Sequence, residues 1–413
     1  MITSINQNIK FSGDPIADFY TERPYPPAVE SLDHILGEWQ DVNRQKAEYH
    51  LFWPGKPYRS DLNILVAGCG TWQAVKYALS YPGANVIGID VSTTSLRETE
   101  KLKQKYNISN LNTELLAIEK VGELGKTFDL VICTGVLHHL ADPGAGLRAL
   151  ASVLDTEGAL YMMVYASYGR AAIYMMQEYC RMLGIGASTK EISDLRHVIQ
   201  ALSPQHPLVS LLQNSLDAQN ADALADALLN PRDRAYSVPQ LFAFLDENGL
   251  SFGRWYLQAP YLPYCGAIAA TPHAAKLFAM PWEEQFAAME LWRGTIMRHN
   301  MIVYKESRFK ANTQIDFDSP DLDKYIPIRL PHTICVTERL PPGAAGVLLN
   351  RSHSFHDLVL PVDGPQKKIF EAIDGSADIK AILKTTGENY SRAAAIKFMQ
   401  KLWYYDQLVF KTF

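Results

Sequence analysis

The fold is decided by residues 128–140, which read FDLVICTGVLHHL. The first six residues form an apolar run with the length of one buried strand, and Thr134 and Gly135 end it. His138 and His139 follow where the chain leaves that strand. Apolar runs of this kind are typical of parallel sheets, whose ligands bind beyond the carboxyl ends of the strands.

Similar apolar runs lie on both sides of this segment. They are ILVA at 64–67, NVIGID at 85–90 and ALYMMVY at 159–165, with further strands predicted at 251–257 and 300–305. Helical segments separate them, which indicates a sheet covered on both faces. The sequence therefore predicts an α/β fold with a Rossmann-like, seven-stranded, mostly parallel sheet and helices on both faces.

The remaining segments predict three units. Residues 1–59 read as an N-terminal cap arm, extended over 19–27 because of its prolines, followed by an amphipathic helix over 28–51. Residues 60–308 contain the sheet, and residues about 169–235 interrupt it with helical segments that we interpret as a lid. Residues 309–413, with three short helices and a strand pair, predict a small winged-helix-like α+β domain.

Composition narrows the class of protein. A net charge of −5 gives no general reason to expect a nucleic-acid partner. Five cysteines, an odd number with no C-x-x-C pair, favour a reducing compartment and no cysteine-built metal site. The first residues lack the pattern of a secretory signal, and no apolar stretch is long enough to cross a bilayer. We expect a cytoplasmic protein with no membrane partner and no required metal.

A glycine loop directly follows the first predicted strand. Gly68 and Gly70 let the backbone approach a ligand closely, and Asp90 stands at the end of the second strand. A carboxylate there can accept both ribose hydroxyls of a nucleotide. The third glycine of a dinucleotide fingerprint would fall at Gln73, which argues against NAD.

Taken together, residues 60–166 resemble the class I S-adenosylmethionine-dependent methyltransferases, whose fourth strand commonly reads F-D-x-V followed by x-x-x-L-H-H-L. The resemblance implies S-adenosyl-L-methionine as cofactor. It places the glycine loop under the methionine part, Asp90 at the ribose, Ala117 and Ile118 beside the adenine, and Thr134 with Gly135 beneath the sulfonium. The predicted cofactor site comprises Arg23, Tyr25, Gly68, Cys69, Gly70, Asp90, Val91, Ala117, Ile118, Thr134 and Gly135.

Three catalytic candidates come from position in the predicted sheet. His138 and Tyr165 follow strands four and five, where the acceptor should approach, and His299 would lie at the same edge if the last strand is antiparallel. Methyl transfer is an in-line displacement, so a base is needed only for an acceptor that must lose a proton.

Three functions stay open at this stage. The first is methyl transfer to a small-molecule acceptor, as in specialised metabolism. The second is a peptide or protein methyltransferase, because residues 341–413 resemble small winged-helix peptide-recognition domains; a packing or homodimerisation module is the alternative for that segment. The third is a non-catalytic cofactor-binding partner, since two acidic residues of the family fall on Val66 and Ala117, and a small residue of its glycine loop falls on Trp72.

Overall fold

The computed structural model describes residues 14–213, 220–305, 315–384 and 390–412. The predicted boundary between residues 308 and 309 lies outside these ranges and stays a prediction. The strands are β1 (Asn63–Ala67), β2 (Asn85–Asp90), β3 (Leu111–Leu115), β4 (Phe128–Thr134), β5 (Leu154–Ala166), β6 (Ala235–Tyr236), β7 (Leu250–Trp255), β8 (Arg298–Lys305), β9 (Ile326–Arg329), β10 (Thr333–Val336), β11 (Gly346–Asn350), β12 (Val359–Val362) and β13 (Leu408–Lys411).

The helices cover the sheet, form the insertion and build the C-terminal unit. They are α1 (Pro15–Glu22), α2 (Asp33–Trp39), α3 (Val42–Phe52), α4 (Gln73–Ser80), α5 (Thr93–Lys105), α6 (Pro143–Val153), α7 (Ala171–Met182), α8 (Thr189–Gln200), α9 (Pro207–Gln213), α10 (Ala221–Leu229), α11 (Val238–Asp246), α12 (Ala274–Phe278), α13 (Trp282–Arg293), α14 (Gly364–Glu371), α15 (Ile379–Lys384) and α16 (Arg392–Tyr404).

The central sheet has the order β3-β2-β1-β4-β5-β8-β7, with short β6 paired to β5. Strands β1 to β5 run parallel, whereas β8 is antiparallel to both β5 and β7. The predicted Rossmann-like sheet is confirmed. Strand order reverses between β1 and β4, and the crevice beyond their carboxyl ends is where such sheets bind ligands.

The N-terminal segment differs from the prediction in two places. Residues 19–22 are helical rather than extended, because Asp14 caps α1 by accepting a hydrogen bond from the backbone N of Ile16, and Pro15 suits the first helical turn. The single helix predicted over 28–51 is divided into α2 and α3. Asp41 lies between them and accepts from the backbone N of Arg44 at 2.8 Å, which starts a new helix.

The insertion forms a small helical unit with its own apolar core. Buried residues of α7, α8, α9 and α10 pack together, and Phe19 of α1 joins the same core. The helical character predicted for residues 169–235 is thereby confirmed for the described part. Within the described ranges, none of the helices has the length and apolar composition to cross a membrane.

The C-terminal unit combines a three-stranded sheet, β10-β11-β12, with the pair β13-β9 and helices α14 to α16. It packs tightly on the β7 side of the main sheet. Asp406 is fully buried and accepts a hydrogen bond from the backbone N of Ala259 at 2.8 Å. Gln258 donates to the carbonyl of Trp403 at 2.8 Å, and both units contribute to one apolar core.

Candidate functional site

The glycine loop after β1 has the backbone conformation that its sequence predicts. Gly68 and Gly70 have φ angles of +69° and +56°, a region that favours glycine. The backbone N atoms of Gly68 and Cys69 donate to the carbonyl of Ile89 at 2.8 and 2.9 Å, which holds the loop against the end of β2.

Asp90 at the end of β2 braces this loop. One carboxylate oxygen accepts from the backbone N of Gly70 at 2.8 Å, and the other accepts from the backbone N of Ser92 at 2.8 Å. Burial raises the pKa of Asp90, and the backbone hydrogen bonds oppose that shift. A carboxylate has about four acceptor positions, so two stay available for the hydroxyls of a ribose.

Other residues predicted to bind the cofactor lie at or just past the carboxyl ends of β2, β3 and β4. Thr134 Oγ1 accepts from the side chain of Gln73 at 2.6 Å, and Gly135 takes a φ of +78° where β4 ends. Ala117 precedes a 3₁₀ turn that begins at Ile118, whose side chain is buried. Val91, next to Asp90, is half-buried.

Cys69 contributes its backbone to the glycine loop, whereas its thiol has no role in binding that the structure supports. The side chain is buried, and burial raises the pKa of the thiol well above its ordinary value. A protonated, buried thiol packs as a small apolar group and is a poor nucleophile.

The N-terminal arm lies over the glycine loop. Thr71 Oγ1 donates to the carbonyl of Pro26 at 2.8 Å, and Ser92 Oγ donates to the carbonyl of Tyr20 at 2.8 Å. A Cβ atom at Gly70 would lie 2.9 Å from the carbonyl oxygen of Tyr25. The arm therefore touches the positions where the cofactor is predicted, and Tyr25 lies among them.

Arg23 has different partners from those predicted. Its Nε donates to the carbonyl of Ala187 at 2.8 Å, and Nη1 pairs with Asp222 of α10 at 2.9 Å. The guanidinium of Arg23 thus joins the arm to the insertion, and its contact with the cofactor's carboxylate stays a prediction.

A polar cluster occupies the carboxyl ends of β4 and β5. The rings of His138 and Tyr165 have centroids 4.0 Å apart, and the guanidinium of Arg170 lies 3.4 Å from the centroid of Tyr165. His138 is fully buried, and neither ring nitrogen has a hydrogen-bond partner among the described residues. Burial, followed by the neighbouring His139 and Arg170, holds the pKa of His138 well below its ordinary value, so the ring is neutral.

The arm and the insertion meet beside this cluster and cover it. Tyr20 of α1 donates its hydroxyl to Asp226 of α10 at 2.6 Å, and Asn230 donates to the Tyr20 hydroxyl at 3.0 Å. Tyr165 also reaches Asp226, at 3.5 Å. Sequence reasoning missed Asp226. The available signal was an acidic residue within the alanine- and leucine-rich helix ADALADALL, where it faces inward.

His299 lies in a sealed position beside this cluster. β8 is antiparallel, as the hypothesis required, but the ring is fully buried. Tyr261 Oη lies 2.8 Å from Nδ1, while Nε2 lies 3.0 Å from the carbonyl of Tyr236 and 3.2 Å from Glu290. Both nitrogens have partners, so the hypothesis that His299 faces the acceptor pocket is corrected to a structural role.

Residues 65–160 match the family model described as methyltransferase domain. The chain carries a methyltransferase domain. That family uses S-adenosylmethionine, in agreement with the class and the cofactor that the sequence predicted.

Three curated proteins are similar to this chain over part of their length. An uncharacterized protein of Synechococcus sp. is 33% identical over 246 residues, which cover 57% of this chain and 58% of that protein. The tRNA U34 carboxymethyltransferase of Campylobacter concisus is 33% identical, covering 34% and 47%. The ubiquinone biosynthesis O-methyltransferase of Colwellia psychrerythraea is 31% identical, covering 24% and 41%. The chain thus spans about half the length of these relatives.

A solved structure shares the fold of nearly the whole chain. It is PKMT2 from Rickettsia typhi in complex with AdoHcy, with a TM-score of 0.65 and 15% identity, covering 90% of this chain and 75% of that one. At this identity the likeness shows the fold alone.

Proposed function

We propose that the protein transfers the methyl group of S-adenosylmethionine to a small-molecule acceptor, as in specialised metabolism. The observation that carries this proposal is the closed polar cluster at the ends of β4 and β5. His138 and Tyr165 lie there, beside the predicted cofactor loop, and Tyr20 with Asp226 closes over them. An enclosed position suits a small acceptor better than a side chain on a folded protein.

The cofactor, when bound, supplies an already activated methyl group. The residues of this chain would then bind and orient it: the Gly68–Gly70 loop through close backbone approach, and Asp90 through the ribose hydroxyls. The closed arm would exclude water from the sulfonium. Positioning and exclusion of water account for much of the rate of such a displacement.

Tyr165 and His138 are the residues that we propose to contact the acceptor. Tyr165 has a hydroxyl that reaches Asp226 only at 3.5 Å, a length at which an acceptor's polar group can compete for it. His138 offers two ring nitrogens that lack hydrogen-bond partners among the described residues. Both side chains are therefore available to a polar acceptor group.

The second candidate is a peptide or protein acceptor recognised by the C-terminal unit. The strand β10 lies at one edge of the three-stranded sheet, which offers a place for strand addition. Against this, the unit shares its apolar core with the main sheet, and Asp406 and Trp403 are bonded to residues 258 and 259. This packing favours a structural role for the unit.

The test uses the full chain and methyl-labelled S-adenosylmethionine. One reaction contains a library of phenols, catechols, carboxylates and amines, and the other contains a protein extract treated with the enzyme. If the proposal is right, the labelled methyl group appears in small products. Label in the protein fraction alone would favour a peptide or protein acceptor. Cofactor binding without transfer to either set would favour the non-catalytic interpretation.

A matched pair of variants then locates the acceptor site. Tyr165→Phe removes a hydroxyl within the cluster, and Tyr168→Phe removes one from an exposed side chain just beyond β5. Losing one hydrogen bond of about 1–1.5 kcal/mol lowers kcat/KM roughly tenfold. We expect that loss for Tyr165→Phe alone, with cofactor affinity unchanged in both.

A further inference from the structure

Three potential metal ligands converge beside the proposed acceptor position. They are His138 and His139, just after β4, and Asp233, just before β6. One donor atom from each lies within 4.8 Å of the other two. The sequence gave no reason to group them, because Asp233 is nearly a hundred residues further along the chain.

His139 is oriented as metal-binding histidines usually are. Its Nδ1 lies 2.6 Å from the carbonyl oxygen of Arg232. A carbonyl only accepts hydrogen bonds, so Nδ1 carries the proton and the lone pair is on Nε2. Histidine ligands typically donate their second N–H to a backbone carbonyl in this way, which fixes both the tautomer and the ring orientation.

Asp233 is also fixed by hydrogen bonds, which reach only one of its two carboxylate oxygens. Its Oδ2 accepts from Gln177 at 2.9 Å and from Arg170 at 3.2 Å. Its other oxygen, Oδ1, is buried and has no hydrogen-bond partner in the part of the chain that the structure describes. The carboxylate is thus fixed by one oxygen and leaves the other to a ligand.

The unsatisfied atoms point to something that binds there. Asp233 Oδ1 and both ring nitrogens of His138 are buried without partners within the described ranges. A buried polar atom without a hydrogen bond costs about 1–3 kcal/mol, so several in one place call for a ligand. A cation bonded to one His138 nitrogen and to Asp233 Oδ1 would satisfy two of these atoms.

The charges near the site set the kind of ion. The guanidinium of Arg170 lies next to Asp233 and opposes a cation, whereas the carboxylates of Asp233 and Asp226 favour one. Neither ring nitrogen of His138 has a hydrogen-bond partner among the described residues, so the nitrogen that carries the lone pair of the imidazole is available to a metal ion. Two imidazoles and one carboxylate are typical of zinc and other divalent transition metals, with further positions left for substrate.

We propose that His138, His139 and Asp233 bind a divalent transition-metal ion, which in turn binds an oxygen of the methyl acceptor. The donor atoms of a tetrahedral ion lie about 3.3 Å apart, given bonds of about 2 Å. Small side-chain rotations would therefore close the site around the ion. The second half of this inference rests on the proposed function, and it restricts the acceptor to compounds with a coordinating hydroxyl or carboxylate.

The experiment titrates the chelator-treated full chain with Zn²⁺ and with Co²⁺. Calorimetry and elemental analysis should give one ion per chain, and the cobalt spectrum should show nitrogen ligands. His138→Gln and Asp233→Asn should each weaken binding by about tenfold or more. His197→Gln, an exposed histidine of the same insertion, should leave it unchanged.

Wild-type protein that binds no ion in a saturable way would overturn the metal site, as would equal affinity in the folded His138 and His197 variants. If the buried variants do not fold, the cobalt spectrum of the wild type decides: a spectrum without nitrogen ligands counts against the site. Binding of S-adenosylmethionine is measured on the same samples, so the loss of one site is distinguished from the loss of the other.

Discussion

Removal of the Asp90 carboxylate tests the cofactor site most directly. Its two oxygens accept from the backbone N atoms of Gly70 and Ser92, both at 2.8 Å. We expect the two remaining acceptor positions to receive the ribose hydroxyls. Asp90→Ala removes all four interactions, whereas Asp90→Asn keeps one acceptor oxygen and loses the charge.

The magnitude follows from the number of bonds lost. A hydrogen bond to a charged group contributes about 2 kcal/mol, so the loss of two ribose bonds costs about 4 kcal/mol. At about 1.4 kcal/mol per tenfold change, Asp90→Ala should weaken S-adenosylmethionine binding about 1,000-fold. Asp90→Asn, which loses about one such bond, should weaken it about 30-fold.

Calorimetry of S-adenosylmethionine binding measures both values. The matched control is Asp129→Ala, because Asp129 also accepts from a backbone N, that of Asn63 at 2.8 Å, but at the amino end of β4. The control should leave affinity unchanged. If folded Asp90→Ala protein bound the cofactor within threefold of the wild type, the carboxylate would not hold the ribose and the reasoning would be refuted.

Three further predictions concern the arm, acid stability and the structural histidine. Gly70→Ala should lose more stability and more cofactor affinity than Gly125→Ala. Both glycines have φ near +60°, but only at Gly70 would the added Cβ meet the arm, 2.9 Å from a carbonyl oxygen. Equal losses of stability in thermal unfolding would contradict the arm contact. Burial lowers the pKa of His50 to about 4, so the unfolded chain gains a proton near pH 6.5 that the folded chain does not. The free energy of unfolding should therefore decrease as the pH is lowered from about 6.5 to 4, by up to about 1.4 kcal/mol per pH unit from this group. When it is measured by urea unfolding at several pH values, His50→Gln should show a weaker dependence on pH. His299→Phe should cost about 3 kcal/mol because it removes both buried hydrogen bonds of the ring, those with Tyr261 and with the carbonyl of Tyr236, while cofactor affinity stays constant. A selective loss of affinity would restore a role in binding.

The strands that form the centre of the sheet could be predicted from the sequence, because full burial on both faces makes each of them a continuous apolar run. β3 was missed because it lies at the edge, where LNTEL alternates between buried and more exposed residues. The helix α1 was missed for a different reason. Its cap, Asp14, lies before residues 19–27, and the prolines of that stretch led to the prediction of an extended chain.

The positions of residues at strand ends were easier to predict than those of residues in the insertion. Gly68, Gly70 and Asp90 lie at strand ends that any parallel sheet brings together. Asp226 and Asp233 come from the insertion and the segment that follows it, and only the packing of α7 to α10 brings them to β4 and β5. No local pattern encodes such a meeting of distant segments, and the partners that Arg23 and His299 have within the chain could not be predicted for the same reason.

The arm links two sites with one short piece of chain. Pro26 is bonded to the cofactor loop through Thr71, while Tyr20 and Arg23 are bonded to the insertion. One outward swing of residues 20–26 would break all three contacts at once. We therefore expect exchange of cofactor product and exchange of methylated product to share a single opening event. In steady-state kinetics, that coupling would appear as one common slow step, sensitive to solvent viscosity and independent of which acceptor is used.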